Sequence, residues 1–183
     1  MALQSHYHQS KVGWKGVLLT CGDRSGQALI TSRVGMSAEA EIVTRETDLL
    51  GRHSEWGEID YLVVDEAQFL TERQVEDLAR LVDSENVDVI CVGLTTDFRS
   101  LMFEGSKRLL EMSDVVQGLQ VQGRCWCSKI ATHNARVSGE GEVLREGEVL
   151  EIGDTGSGGA SHYELLCREH YMAGVSEERA KNS

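Results

Sequence analysis

Apolar runs alternate with amphipathic segments along the chain, and this order predicts a parallel sheet covered by helices. Tyr61–Asp65 is a continuous apolar run, YLVVD, typical of a strand that is buried on both faces. Thr71 and Gln74 form a capping-box signature, and the apolar positions that follow at helical spacing predict a helix. Residues 87–94 (VDVICVGL) predict a second buried strand. Strand, helix and strand within about 35 residues predict a βαβ unit.

The flanking segments extend this α/β pattern. Residues 2–12 are compatible with a helix, and residues 17–21 (VLLTC) are compatible with a strand. A further helix is predicted to start near Ser106. Residues 115–121 (VVQGLQV) predict another strand. After residue 122 glycine and polar residues become more frequent and the apolar runs shorten. We therefore predict an α/β body at residues 1–122, a small module at 123–172 and a tail at 173–183.

Composition and charge narrow the classes of function. Forty per cent of the 183 residues are apolar, which is enough to bury a core. Eighteen basic and thirty acidic residues leave a net charge of −12, which argues against nucleic acid or an anionic membrane as the main partner. The polar start of the chain lacks the apolar core of a secretion signal, and the five cysteines are an odd number. These features favour a reducing compartment, the cytoplasm.

An acid pair, Asp65 and Glu66, ends the buried strand predicted at Tyr61–Asp65. Ligands of open α/β sheets bind beyond the carboxyl ends of strands. An acid at that point can hold a magnesium ion through a water, and a second acid can accept a proton from an attacking hydroxyl. The alternative interpretation is a pair of helix-capping acids, which is common at strand ends.

Two close pairs of soft or borderline metal ligands bracket the C-terminal segment: Cys125, Cys127, Cys167 and His170. Their number and type are those that a tetrahedral structural zinc requires. The C-x-x-H spacing suits chelation, whereas C-x-C is tighter than the commoner C-x-x-C. Free buried thiols are the alternative. Cys21 and Cys91 fall in apolar strands, and we predict that they are core residues.

Four motifs, in this order, carry a resemblance to a known family: VVDEAQFL, GLTTDFRSLMFEGSKRL, ATHNAR and YELLCREHY. Together they resemble the type II, zinc-containing thymidine kinases, most closely the bacterial branch, over about residues 2–172. The resemblance implies transfer of the ATP γ-phosphate to thymidine for nucleotide salvage, with Mg²⁺ at the donor phosphates and a structural Zn²⁺. It also implies a homo-oligomer, tetrameric in relatives.

The resemblance further implies roles for individual residues. Asp65 would support magnesium, and Glu66 would take the proton from the nucleoside 5′-hydroxyl. Phe98, the aromatic residue of TTDFR, would lie against the thymine base with Phe103 nearby, although ordinary core packing is the alternative for both. The residues expected near ATP are Asp23, Arg24, Asp65, Glu66, Ala67 and Gln68. The loop expected to grip the base through its backbone, and the tyrosine that closes it, are Val149, Leu150, Glu151, Ile152, Gly153 and Tyr163.

The 183 residues contain no G-x-x-x-x-G-K-[ST] motif, the loop whose amides and lysine hold donor phosphates. Residues 2–4 resemble the start of the helix that follows this loop in the family, so we expect the preceding strand to be missing too. Two explanations for the missing loop are open. Either the start of the sequence is placed too late, or the chain is a true inactive remnant. The alternative function is therefore a catalytically dead nucleoside-binding or zinc-stapled interaction protein. A DEAx-type helicase is excluded by length, acidity and the lack of a second motor domain.

Overall fold

A computed structural model describes residues 1–21, 28–32, 35, 37–118, 123–147, 149 and 161–181. The chain divides into two compact units. The first comprises Met1–Thr95 and Phe103–Val116, and the second comprises Thr96–Met102 and Gln117–Ser183. The domain boundaries predicted at residues 122 and 172 stay a prediction.

The first unit is an α/β structure built on a parallel sheet. Its elements in chain order are α1 (Ala2–Lys11), β1 (Gly16–Cys21), β2 (Leu29–Thr31), β3 (Ser37–Glu39), β4 (Glu41–Val43), α2 (Leu49–Trp56), β5 (Tyr61–Asp65), α3 (Glu72–Glu85), β6 (Asp88–Cys91) and α4 (Glu104–Met112). Four strands form the parallel sheet in the order β4-β1-β5-β6, and β2 pairs with β3 in an antiparallel ladder. The predicted α/β fold with a parallel sheet is confirmed.

Strand β5 is the most deeply buried strand of this sheet, and it pairs with β1 on one edge and β6 on the other. Its first four residues are fully buried and alternate between two apolar clusters. Leu62 and Val64 join the cluster that α3 covers, whereas Tyr61 and Val63 join the cluster that includes the start of α1. The uninterrupted apolar run in the sequence is therefore explained by burial on both faces.

The predicted capping box of α3 is present. The Thr71 hydroxyl accepts from the Gln74 backbone N–H at 3.2 Å, and the Gln74 side chain accepts from the Thr71 backbone N–H at 3.0 Å. The Gln74 amide nitrogen also donates to the carbonyls of Thr44 at 2.7 Å and Thr47 at 3.1 Å. Gln74 is 2% exposed, so it satisfies backbone groups of the loop before α2 as well as the helix start.

Three predicted elements differ in extent. β6 ends at Cys91, earlier than residue 94, because Leu94 N–H donates to the side chain of Gln68 instead of continuing the sheet. α4 begins at Glu104, two residues before the expected start. The strand predicted at 115–121 is wrong for residues 115–118, where Val115 and Val116 are exposed and no described strand pairs with them; residues 119–121 lie outside the described residues.

The second unit contains an antiparallel sheet and short helices. Its elements are β7 (His133–Val137), β8 (Val143–Leu144), β9 (His162–Leu166), α5 (Arg168–Ala173) and α6 (Glu177–Lys181). The strand order is β8-β7-β9. The buried apolar cluster of this unit is small, and two of its members, Cys125 and Cys167, are cysteines. Among the described residues this unit therefore has a much smaller apolar core than the first.

Replacing Gln74 by methionine is expected to destabilise the first unit by about 2–3 kcal/mol. A methionine of similar size could neither donate to the carbonyls of Thr44 and Thr47 nor accept from the Thr71 backbone N–H, so the hydrogen bonds of this buried side chain would be lost. Urea unfolding followed by circular dichroism measures the change. Glu85→Met, at an exposed position of the same helix, is the control and should shift stability by no more than about 0.5 kcal/mol. Equal effects of the two substitutions would contradict the role assigned to Gln74.

Candidate functional site

The predicted acid pair lies where β5 ends. Asp65 is half-buried, and burial raises the pKa of its carboxyl above the ordinary value, although a hydrogen bond from the Glu66 backbone N–H acts in the opposite direction. Glu66 is exposed and has a left-handed backbone with φ of 54°. Such a conformation is uncommon for a residue other than glycine and concentrates at functional sites.

Gln68 determines how the Glu66 side chain is held. Its amide oxygen accepts from the Leu94 backbone N–H at 3.1 Å, so its amide nitrogen faces the other way and donates to Glu66 Oε2 at 2.5 Å. Gln68 is 2% exposed, and Ala67 N–H donates to the Val92 carbonyl at 3.0 Å. The sheet therefore supports the turn after β5, and that turn fixes the carboxylate.

Glycines allow other segments to approach this turn closely. A Cβ on Gly105 would lie 2.6–2.9 Å from the carbonyl oxygens of Leu70, Ala67 and Gln68. Helix α4 can therefore pack against the turn only because residue 105 is a glycine and has no Cβ. Phe103, the residue before α4, packs edge to face with Phe69 of the turn, with ring centroids 5.5 Å apart. Phe103 is thus brought beside the turn that carries Gln68.

Phe98 belongs to the second unit, in a tight turn over residues 96–102. The Asp97 carboxylate organises this turn, since it accepts from the backbone N–H groups of Arg99 at 2.8 Å and Leu101 at 3.1 Å. It also forms an ion pair with the Arg99 guanidinium at 2.6 Å. Ser100 has a positive φ of 64°, as a reversal of this kind requires.

The Phe98 ring is buried, with 2% of the residue exposed. The guanidinium carbon of Arg136 lies 4.2 Å from the ring centroid, and the Tyr171 hydroxyl donates to the Phe98 carbonyl at 2.8 Å. Neither Arg136 nor Tyr171 was among the predicted site residues. The available signal was their position in the ATHNAR and YELLCREHY motifs, but only the fold brings them to Phe98.

Arg136 links three parts of the second unit. In the β7–β9 ladder Tyr163 is directly opposite Arg136, so the two side chains project from the same face. The Arg136 guanidinium also donates to the Glu146 carbonyl at 3.3 Å, and a Cβ on Gly147 would collide with it. Arg136 therefore contacts the backbone shortly before Val149, the half-buried first residue of the predicted base-gripping loop.

Asp23, Arg24, Leu150, Glu151, Ile152 and Gly153 lie outside the described residues. Their roles stay predictions.

The four predicted metal ligands come together: Cys125, Cys127, Cys167 and His170 have ligand atoms within 4.8 Å of one another. His170 Nδ1 lies 3.4 Å from Cys125 Sγ and 3.6 Å from Cys167 Sγ, and the Cys127 and Cys167 sulfurs are 3.9 Å apart. Tetrahedral zinc with bonds of about 2.3 Å to sulfur and 2.0–2.1 Å to nitrogen requires S···S near ~3.8 Å and S···N near ~3.6 Å. The donor set and its spacing therefore fit a tetrahedral metal.

Groups around the ligands act on the thiols in opposite directions. A hydrogen bond from the Lys129 backbone lowers the pKa of Cys127, but burial and the neighbouring Cys125 and Cys167 thiols outweigh it and raise that pKa. The backbone N–H of His170 donates to the Cys167 thiol and lowers its pKa, which favours the thiolate that metals bind. The Trp126 ring stacks on His170 with centroids 4.1 Å apart and holds the imidazole plane. Lys129 pairs with Glu169 beside the cysteines. Cys21, by contrast, is buried in the first unit as predicted, and burial raises the pKa of its thiol to about 12.

The fold and the site define an α/β protein with an acid pair beyond a central parallel strand and a Cys₃His group that fits a metal. A sequence profile of the Thymidine kinase family matches residues 3–171. The chain is 47% identical to the thymidine kinase of Cutibacterium acnes (strain DSM 16379 / KPA171202) over 182 residues, which cover 97% of this chain and 84% of the relative.

Two further relatives extend the comparison. The thymidine kinase of Streptomyces avermitilis is 44% identical, with 98% of this chain and 85% of the relative covered. The thymidine kinase of Pasteurella multocida is 37% identical, with 95% of this chain and 90% of the relative covered. The chain belongs to the thymidine kinase family, as the four motifs implied.

Replacing Gly93 by alanine is expected to disturb the turn that holds Glu66. The added Cβ would lie 2.5 Å from the Gln68 amide oxygen and 3.1 Å from the Gln68 backbone nitrogen, which belongs to a buried turn and cannot move freely. We expect a loss of about 1–3 kcal/mol in urea unfolding, the range for overpacking. Gly139→Ala, where a Cβ meets open space, should stay within about 0.5 kcal/mol of the parent. An unchanged stability of Gly93→Ala would show that the turn is not tightly packed.

Proposed function

We propose that this chain transfers the γ-phosphate of ATP to the 5′-hydroxyl of thymidine, forming thymidine monophosphate. Membership of the thymidine kinase family supports the reaction. The observation that carries the assignment of roles is the Glu66 carboxylate, exposed at the end of β5 and oriented by the buried Gln68.

Glu66 is the general base in this proposal. A base must reach the substrate hydroxyl and keep one orientation while the proton moves. Exposure supplies access, and the 2.5 Å hydrogen bond from Gln68 supplies orientation. Because Gln68 is itself fixed by the Leu94 backbone N–H, the carboxylate is preorganised before a substrate binds.

Asp65 is the magnesium-supporting acid. Its carboxyl is half-buried at the carboxyl end of a parallel strand, where ligands of such sheets bind. Burial raises its pKa, and a nearby divalent cation would favour the ionised form again. Bound Mg²⁺ would supply charge neutralisation at the transferred phosphate. Ala67 and Gln68 complete the nucleotide side, together with the predicted Asp23 and Arg24.

The thymine side is assigned to Phe98, Phe103, Tyr163 and the loop of residues 149–153. Phe98 is 2% exposed, so it would act as a rigid wall held by Arg136 rather than as an open stacking surface. Tyr163 is 39% exposed and remains accessible to a ligand. Backbone groups of the loop would recognise the base.

Zinc is the proposed metal at the Cys₃His group. The thiolate-rich donor set and the tetrahedral spacing suit Zn²⁺. With four protein ligands no position is left open for a substrate, so the role is structural. The metal would offset the small apolar core of the second unit.

The proposed setting follows the resemblance. We place the chain in the cytoplasm, in the supply of DNA precursors, as a homo-oligomer that is tetrameric in relatives, without nucleic acid or membrane as a partner. Within the described part of the chain, none of the helices has the length and apolar character needed to cross a membrane.

Glu66→Gln tests the base. The substitution keeps an acceptor for Gln68 but cannot take up a proton, so turnover should fall by about 10²–10⁴-fold with little change in thymidine affinity. The measurement is ATP-dependent thymidine phosphorylation by a version carrying an added strand and G-x-x-x-x-G-K-S loop before Met1. Without that loop, the 183 residues alone should be at least ~10³-fold slower.

The control for this experiment is Glu58→Gln, which neutralises another exposed carboxylate. It should leave turnover within twofold, roughly the effect of a distant surface charge. Near-normal turnover of Glu66→Gln would exclude Glu66 as the base. Thymidine binding without any phosphorylation in the extended version would support the nucleoside-binding alternative.

Cys167→Ser tests the zinc group. The purified protein should contain about one zinc ion per chain, and the substitution should release it because a hydroxyl replaces a thiolate ligand. Elemental analysis measures the stoichiometry. Cys91→Ser, a cysteine of the first unit, should retain the metal. Zinc retained after joint replacement of Cys125 and Cys127 would contradict the assignment.

A further inference from the structure

The metal group and the Phe98 turn are joined by one buried side chain, Tyr171. Tyr171 directly follows the ligand His170 on α5 and is 2% exposed. Its backbone N–H donates to the carbonyl of the ligand Cys167 at 2.9 Å, and its hydroxyl donates to the Phe98 carbonyl at 2.8 Å. The two ends of one residue therefore contact a metal ligand and the turn that carries Phe98.

The Tyr171 ring has little freedom to move. His133 stacks on it with centroids 4.2 Å apart and planes 20° apart, and the Arg145 guanidinium carbon lies 3.8 Å from the ring centroid. Arg145 also donates to the Tyr171 backbone carbonyl. Because ring and backbone are both held, the direction of the hydroxyl is determined by the position of α5.

The Phe98 carbonyl depends on that hydroxyl. The hydrogen bond is buried, so losing the donor would leave an acceptor without water to replace it. The adjacent hydrogen bonds of the turn run through Asp97, whose carboxylate and carbonyl accept from Arg99, Ser100 and Leu101. Displacement of the Phe98 carbonyl would therefore weaken the hydrogen bonds of the whole turn.

We propose that Tyr171 is a positioning residue that couples the metal group to the Phe98 turn. Metal held by Cys167 and His170 orders the first turn of α5, the ordered helix aims the Tyr171 hydroxyl, and the hydroxyl fixes Phe98. The metal would then order a substrate-contacting turn as well as stabilise its own unit. Only the thymidine consequence of this coupling rests on the proposed function.

Tyr171→Phe isolates the coupling, because it removes the hydroxyl and keeps the stacked ring. The control is Ser176→Ala, which removes another buried hydroxyl of the same unit, one that donates to the Gly141 carbonyl at 2.6 Å. Amide hydrogen exchange of residues 96–102 is measured by mass spectrometry in both variants and in the parent. The same samples are compared with and without a zinc chelator.

Tyr171→Phe should retain its metal and exchange about fivefold faster at residues 96–102, the ratio that one net hydrogen bond represents. Ser176→Ala should exchange there at the parental rate. Chelation should accelerate exchange of the turn in the parent, but by a smaller factor in Tyr171→Phe, where the link is already broken. Unchanged exchange in Tyr171→Phe, or loss of its metal, would overturn the coupling. The coupling would also be overturned if Ser176→Ala accelerated exchange of residues 96–102 as much as Tyr171→Phe does. The same holds if chelation accelerated exchange by the same factor in the parent and in Tyr171→Phe.

A second experiment, with added thymidine, tests the proposed function separately from the coupling. By linkage, a ligand that orders the Phe98 turn should raise the metal affinity, measured by equilibrium competition with the chelator, severalfold in the parent and less in Tyr171→Phe. No effect of thymidine on either protein, with the exchange results as expected, would count against the proposed function and leave the coupling intact. An equal increase in metal affinity in both proteins would instead show that the effect of thymidine does not pass through Tyr171 and would contradict the coupling.

Discussion

The burial of Tyr61–Val64, the first four residues of β5, is the constraint on which the position of the acid pair depends. A strand that pairs on both edges and packs on both faces cannot shift its register without exposing apolar residues. The acid pair that follows it is therefore anchored to the rigid centre of the sheet. Gln68 then uses the neighbouring Leu94 backbone to orient Glu66. Strand pairing therefore sets the geometry of the acid pair, and the exposed residues around it do not.

The second unit is ordered by a different kind of contact from the first. Its apolar cluster is small, and much of its organisation comes from polar and aromatic contacts: the Asp97 turn, the Arg136 contact with Phe98, and the stack on Tyr171. Such contacts are directional and weaken together if the backbone moves. The Cys₃His group brings residues 125–127 and 167–170 together beside this small apolar cluster, and a metal bound there would restrain that backbone.

Where the sequence-based prediction failed, neighbouring segments decided the outcome. Residues 115–118 have the β-branched pattern of a strand, yet Val115 and Val116 are exposed, since a strand also needs a partner. β6 is shorter than its apolar run because the residues after Cys91 bond to the turn that follows β5. Arg136 and Tyr171 were missed because their importance lies in contacts with Phe98, which are distant in sequence.

The amino-acid sequence by itself determined the fold class, the buried strand with its acid pair, the capping box of α3, the membership of the Cys₃His group and the family. These features are set by local periodicity, by ligand chemistry or by motifs, all of which are visible along one dimension. Only the tertiary structure decided that Gln68 orients Glu66, that His170 presents Nδ1 to the cysteines, and that Tyr171 reaches Phe98. Those facts depend on the directions of side chains brought together by non-local pairing, and no pattern of residue types encodes direction.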